Sequence, residues 1–393
     1  MESDQAPTGF NPVFGTLGTT IFSVMSALAV EHGAINLGQG FPDEDGPLAI
    51  RQEAARALIE GPNQYPPTRG LPELRRAIAA HARRFYGLDF DPEREVLVTS
   101  GGTEALTASI LALLGPGDEV VLIEPAYDSY RPIAEAAGAT VRTVKLAPPD
   151  WRLHEQALEA QMTSRTRVVM FNTPLNPIGR VFEEGELAAA ARILRSSKAF
   201  AICDEVYEHL VFAGRPFKPL IAYPGMRDRV VRVGSAGKMF SLTGWKVGWV
   251  MGAAPLIEVI AKAHQFLTFT TPPALQRGTA YAIEREMNFA LNLTKSLQDN
   301  RDLLASGLAR LGFDVLACEG TYFLTVGIRP LTNETDHVFC QRLVREAGVA
   351  LIPLSGFFES GEPDHFVRFA FCKKRELIEE ALLRLERYFA KQD

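Results

Sequence analysis

Between residues 95 and 252 this chain alternates short apolar runs with amphipathic stretches, and that alternation restricts its fold more than any other feature. Glu95–Thr99 (EVLVT), Glu119–Ile123 (EVVLI), Thr140–Lys145, Arg167–Phe171 (RVVMF), Ala199–Cys203 (AFAIC), Val230–Gly234 and Val247–Gly252 each read as a strand. Helical patterns follow the Ser100-Gly101-Gly102-Thr103 turn as far as Leu114, and recur over Arg131–Ala137, Leu153–Gln161 and Glu184–Ser196. Strands this apolar have no face to offer water, so their sheet must be covered on both sides. Strands separated by helices join in parallel. The expectation is an α/β fold with a large, mostly parallel, seven-stranded sheet.

The texture changes after Arg285. Glu286–Leu311 is one long helical pattern, and it leads into a smaller unit. Strands there are predicted at Phe313–Ala317, Tyr322–Val326, Val349–Ile352 and Phe366–Phe371, with helices at Asp336–Glu346 and Lys374–Lys391. This is an α+β pattern. The first 45 or so residues carry their own helix, Phe22–His32, which is expected to pack on that smaller unit. The predicted domains are 46–285 for the large unit, and 1–45 with 286–393 for the small one. A chain of 393 residues has room for both.

Composition removes several classes of function. The chain carries 41 basic and 47 acidic side chains, a net charge of −6, with no basic stripe for nucleic acid. Cys203, Cys318, Cys340 and Cys372 are widely spaced and form no disulfide framework, which favours a reducing, cytoplasmic setting. The acidic, polar start MESDQAPTGF has no apolar stretch of the kind a signal peptide needs. No uninterrupted apolar run approaches the ~18 residues of a membrane span. The seven histidines show no HExxH-type spacing, so no metal site is predicted.

In open α/β sheets ligands bind beyond the carboxyl ends of the strands. Five of these ends carry unusual residues. Gly102 and Thr103 open a helix, where free backbone N–H groups and the helix dipole favour an anion; a plain strand-to-helix turn has the same sequence. Tyr127, in EPAYDSY, stands where it can stack on a planar group or simply pack in the core. In NTPLNPIG, two prolines stiffen the loop around Asn176, whose amide can donate to an anionic oxygen. Asp204, in DEVY, ends an apolar strand and needs a cationic partner, either a ligand or an arginine; Tyr207 lies three residues on. In SAGKMFSLTGWKVGW, Ser235 precedes Lys238, and a second cation, Lys246, follows eight residues later. A lysine nucleophile needs a lowered pKa to act near neutral pH, whereas a surface lysine in a glycine-rich loop needs nothing.

Taken in this order, these features resemble the fold-type I, pyridoxal-phosphate-dependent class I/II aminotransferases. The resemblance runs from about Gly15 to the C-terminal helix. GKMFSLTGWKVGW, INLGQGFPD and NQYPPTRG bring it nearest the branch of kynurenine, glutamine-phenylpyruvate and methionine aminotransferases. Many members of the class have arginine where Lys246 stands; lysine there is a mark of that branch.

The resemblance implies pyridoxal 5'-phosphate held covalently by Lys238. Asp204 would keep the pyridine nitrogen protonated. Tyr207 and Asn176 would bond the ring oxygen, and Tyr127 would stack on the ring. Gly102, Thr103, Ser235 and Lys246 would hold the phosphate, joined by Tyr65 from the neighbouring subunit of a homodimer with shared sites. Arg368, in FVRFAF, would bind the substrate carboxylate through its planar fork, with Gly40 adding a backbone contact. Phe22 would line the side-chain pocket and Phe269 would do so from the partner, favouring large neutral or aromatic amino acids with a 2-oxo acid as acceptor. Arg69, Arg131, Arg180 and Arg277 are not placed by the sequence, so a second pocket arginine for dicarboxylates stays open. A carbon–sulfur β-lyase on the same scaffold is the alternative chemistry. A transcriptional regulator would need a winged helix ahead of the domain, and only about 20 residues precede the resemblance.

Overall fold

The computed structural model of the protein describes residues 9–391. The polar start of the chain, up to residue 8, lies outside the described residues. The first strand, β1 (Ile35–Asn36), belongs to the small unit. The large sheet is built from β2 (Val96–Thr99), β3 (Glu119–Glu124), β4 (Thr140–Lys145), β5 (Thr166–Asn172), β6 (Phe200–Asp204), β7 (Val230–Ser235) and β8 (Gly248–Met251). Its order is β2-β8-β7-β6-β5-β3-β4. Only β8 runs against its neighbours; the other pairings are parallel. The sequence therefore predicts both the number of strands and their mostly parallel sense.

Side chains alternate across each strand, so one apolar run supplies two cores. On β3, Val120 and Leu122 join the layer containing Leu106 and Ile257. Val121 and Ile123 join the layer containing Ile78 and Ile283. The helices Gly102–Leu113 and Ala254–Leu267 cover the first face. Leu48–Glu60, Pro72–Tyr86 and Pro273–Arg285 supply apolar side chains to the second. The carboxyl ends of β2, β3, β5, β6 and β7 open on one edge, and the site lies there.

The helix Met287–Arg310 leads to a second, antiparallel sheet. Its strands are β9 (Asp314–Val315) and β10 (Phe323–Gly327), and, beyond β11 (Val349–Ala350), β12 (Ile352–Pro353) and β13 (Phe366–Ala370), in the order β12-β13-β10-β9. β11 leaves this sheet and pairs in parallel with β1. The single strand expected over Val349–Ile352 is thus two strands in different sheets. All four residues are buried and apolar, so no polar residue marks where the chain changes partner. The strand expected over Phe313–Ala317 shortens to β9. The N-terminal helix Ile21–Glu31, with the Thr20 hydroxyl accepting from Ser23 N–H at its start, packs on this unit. Among the described residues no helix is long and apolar enough to cross a membrane.

Candidate active site

Twelve of the fourteen residues singled out from the sequence line one cavity of about 500 Å³. Gly102, Thr103 and Tyr127 come from the turns after β2 and β3. Asn176 follows β5, while Asp204 and Tyr207 end β6 and begin its loop. Ser235, Lys238 and Lys246 lie beyond β7. Arg368 reaches in from β13, and Phe22 and Gly40 from the N-terminal segment. The cavity therefore sits where the large sheet meets the small unit.

The glycine turn is built for close approach. Gly101 has φ +84° and stands at the N-cap of Gly102–Leu113. A Cβ on Gly248 would come within 2.6 Å of the Gly101 carbonyl carbon and 2.8 Å of Gly102 N. Only glycine lets β8 and the turn meet. A Cβ on Gly101 would lie 3.5 Å from Lys246 Nζ, so the ammonium stands over this helix start. Lys246 itself is held at φ +52°, a strained region for a side-chain-bearing residue. Among the described residues the Gly102 and Thr103 N–H groups meet no protein acceptor, as the first turn of a helix requires. Free N–H groups, the Thr103 and Ser235 hydroxyls and one ammonium together form an anion cradle.

Lys238 is half-buried in the short helix Ala236–Met239. Its Nζ donates to Tyr322 Oη at 2.8 Å and lies 3.5 Å from the Gly40 carbonyl. Tyr322 Oη in turn donates to that carbonyl at 2.5 Å. Burial pushes the Lys238 ammonium down to about 8, and the nearby Arg368 and Lys246 charges push it the same way. Asp204 is 6 % exposed, and its Oδ2 accepts from Tyr130 Oη at 2.6 Å. Burial lifts its carboxyl above the usual range, while the Tyr130 bond and the Lys238 charge pull it back. Arg232, on the neighbouring strand, pairs with Glu205 and not with Asp204. Burial also raises the Tyr207 hydroxyl, whose ring meets Tyr322 edge-on at 5.2 Å.

Arg368 is 1 % exposed in the middle of β13. It donates to Asn176 Oδ1 at 2.9 Å and to the Gly38 carbonyl at 2.7 Å, and Nε has no partner. Among the described residues no carboxylate lies within 4.0 Å of it. Phe323, Phe22 and Phe357 surround the guanidinium at 3.9, 5.3 and 5.2 Å. Burial brings its pKa down to about 10. A buried guanidinium with only neutral partners is completed by an incoming anion.

Tyr65 and Phe269 lie away from this cavity. They meet each other edge-on at 5.2 Å, and are 81 % and 40 % exposed. The four unplaced arginines are also elsewhere. Arg131 pairs with Glu124 and Glu359, Arg180 with Glu186 and Glu319, Arg277 with Glu73, and Arg69 reaches the Arg94 carbonyl. Sequence reasoning missed Tyr322, Tyr130 and Asn172. Asn172 links the site internally: it donates to the Asp204 carbonyl and accepts from Asn176 N–H, both at 2.9 Å. Its place directly before the NTPLNP prolines is the one signal that marks it.

Comparison with known proteins agrees with this geometry. Residues 32–385 match the family described as aminotransferase class I and II. The chain is 47 % identical over 378 residues to a probable N-succinyldiaminopimelate aminotransferase, DapC, of Mycobacterium tuberculosis, covering 93 % of this chain and 95 % of that one. A solved structure of N-succinyldiaminopimelate aminotransferase from the same organism superposes with a TM-score of 0.94 at 46 % identity, covering 96 % of this chain and all of that one. The methionine aminotransferase of Escherichia coli is 42 % identical, with 94 % and 96 % covered. Human kynurenine–oxoglutarate transaminase 1 is 34 % identical, with 90 % and 92 % covered. These relatives lend no support to the β-lyase alternative. The chain belongs to the class I and II aminotransferases.

Proposed function

We propose that the protein is a pyridoxal 5'-phosphate-dependent aminotransferase acting on L-amino acids with large neutral or aromatic side chains, methionine, glutamine, phenylalanine and kynurenine among them, with a 2-oxo acid as acceptor. The observation that carries the reading is the unpaired, buried Arg368 facing a lysine of lowered pKa in one cavity. The donor set fits the cofactor. The Gly102–Thr103 helix start, Ser235 and Lys246 suit its phosphate, buried Asp204 suits a pyridinium nitrogen, and Lys238 Nζ suits its aldehyde. Bound there, pyridoxal phosphate supplies a carbonyl carbon for the amino group and a ring that withdraws electrons from the substrate Cα.

The chain's own residues do the rest. Arg368 fixes the substrate carboxylate with its fork, and the Gly40 N–H, which has no protein acceptor among the described residues, is free to add a bond. Lys238 Nζ, freed by the incoming amine, would take the proton from the substrate Cα and pass it to the carbon that bore the cofactor's aldehyde; a pKa near 8 leaves a useful share of free amine at neutral pH. Asp204, raised by burial, would gain by facing a cation and so would keep the ring nitrogen protonated. Asn176 Oδ1 accepts from Arg368, so its amide N–H would be left to join Tyr207 at the ring oxygen. Tyr127 would stack on the ring, and Phe22 would form an apolar wall beside the substrate side chain. Tyr65 and Phe269, exposed in the single chain, serve the partner's cavity in a cytoplasmic homodimer with shared sites. Residues 46–285 form the cofactor-binding domain, and 1–45 with 286–393 the small domain.

Large neutral side chains are supported by Phe22 in the cavity lining, from which Arg69, Arg131, Arg180 and Arg277 of the same chain are all absent. The relatives named for N-succinyldiaminopimelate make that compound the competing donor. The test is ping-pong kinetics with twenty amino acids and N-succinyldiaminopimelate, against 2-oxoglutarate, pyruvate and a 2-oxo-4-methylthio acid. A kcat/KM led by N-succinyldiaminopimelate would reject the substrate class. A protein that gives no borohydride-fixed adduct at Lys238 would reject the chemistry.

A further inference from the structure

Behind the active cavity lies a buried polar cluster that transamination does not use. His81, on the helix Pro72–Tyr86, is 3 % exposed, and Glu208 is 4 % exposed. His209 is half-buried beside them. His81 Nε2 and His209 Nε2 meet at 2.6 Å, with ring centroids 4.9 Å apart, so the rings aim these two atoms almost head-on. One oxygen of Glu208 completes a set in which all ligand atoms lie within 4.8 Å of one another. Arg232 holds Glu208 Oε2 at 3.0 Å and also bonds Glu205 Oε2. Two buried acids therefore share one guanidinium.

The cluster is incompletely bonded. His81 Nδ1, Glu205 Oε1 and Arg232 Nη1 are buried without a partner. Two facing imidazole nitrogens also need one proton between them, because two lone pairs repel.

We propose that His81 Nε2, His209 Nε2 and one oxygen of Glu208 form a binding site for a single divalent metal ion of the zinc class. Two imidazoles and a carboxylate are a common zinc donor set, and a fourth position is left for water. With Zn–N near 2.0–2.1 Å, a tetrahedral ion holds the two nitrogens about 3.3 Å apart at an angle of about 109°, so the facing rings part by roughly 0.7 Å and each turns by about 35° to aim at the ion. The ion replaces the proton that the facing nitrogens otherwise share. Arg232 then supports the ligating carboxylate from behind, as outer partners of metal ligands do. Glu208 and His209 directly follow Tyr207, and Thr294 Oγ1 holds the His209 carbonyl at 2.7 Å. The ion would therefore tie the helix Pro72–Tyr86 to the loop that carries Asp204 and Tyr207. It would position that loop and touch no substrate. Histidine spacing along the sequence cannot reveal such a site, because its ligands are 127 and 128 positions apart and are brought together by the fold.

The test uses the cofactor-loaded enzyme, stripped of metal with a chelator and dialysed against Zn2+ or Co2+. We expect one equivalent per chain by mass spectrometry of the metal, a tetrahedral Co2+ absorption and a raised Tm. His81→Gln and His209→Gln should each weaken binding at least tenfold while keeping the visible band of the cofactor. His154→Gln, at an exposed histidine, should change nothing. Unchanged zinc binding in both site variants would overturn the proposal, as would a wild-type enzyme that takes up no stoichiometric ion. Should either variant fail to fold, anomalous diffraction from wild-type crystals at the zinc edge decides: a peak between the two rings supports the site, and none there rejects it.

Discussion

Arg232 and Arg368 are both 1 % exposed, both on strands, and opposite in what surrounds them. Burial works against the Arg232 charge, but Glu205 and Glu208 more than offset it, and its pKa rises. Arg368 has only an amide oxygen, a backbone carbonyl and three aromatic faces, and its pKa falls. The fold meets the charge of one guanidinium from within and leaves that of the other to be met from outside. Burial of an arginine thus says little about function; the charge of its partners says a good deal.

Turnover should separate the two regions most widely. Lys238→Ala is expected to abolish transamination, and Asp204→Ala to cost several orders of magnitude in kcat. Both are read from single-turnover loss of the amino donor. Near-normal rates in either variant would remove the active-cavity half of the comparison.

Stability should show the reverse. Arg232→Met leaves Glu205 and Glu208 buried without their cation, which typically costs about 3–5 kcal/mol. The check is a lower midpoint in urea at unchanged m-value. Arg368→Met removes a buried charge that has no counter-charge, so its stability should hold or rise. Its penalty falls on substrate: loss of the carboxylate fork should lower kcat/KM by roughly a hundredfold, or about 3 kcal/mol. If Arg368→Met proved the less stable of the two variants, the contrast would fail.

Much of the large unit was legible because apolar strand runs and their polar ends lie close together in sequence. β4 is found with its predicted ends, and Lys238, Asp204 and Asn176 lie at strand tips where such sheets bind ligands. The helices Leu48–Glu60, Pro72–Tyr86, Ala254–Leu267 and Pro273–Arg285 gave no such signal. Their N-caps are Pro47, Leu71, Ala253 and Pro272, none of which has the side-chain oxygen that usually marks a helix start. Tyr322 and Tyr130 were missed for another reason. Each acts through a bond to a residue far away in sequence, Lys238 or Asp204, and aromatic residues in apolar segments read as core. The His81–Glu208–His209 cluster was hidden in the same way.

The smallest expected effect tests how completely Arg232 is satisfied. Burial raises the Glu205 carboxyl from 4.5 to about 7, with Glu208 and Asp204 adding to the rise and Arg232 offsetting part of it. A raised acid binds its proton more tightly folded than unfolded. It therefore stabilises the fold fully below pH 4.5 and loses that contribution as pH rises through about 7. Glu205→Gln has no such proton to release. Measured in chelator, the Tm of the variant minus that of the wild type should climb between pH 4.5 and about 7 and level off above. A flat difference would mean that Arg232 keeps Glu205 ionised throughout, making its pairing more complete and its contrast with Arg368 sharper.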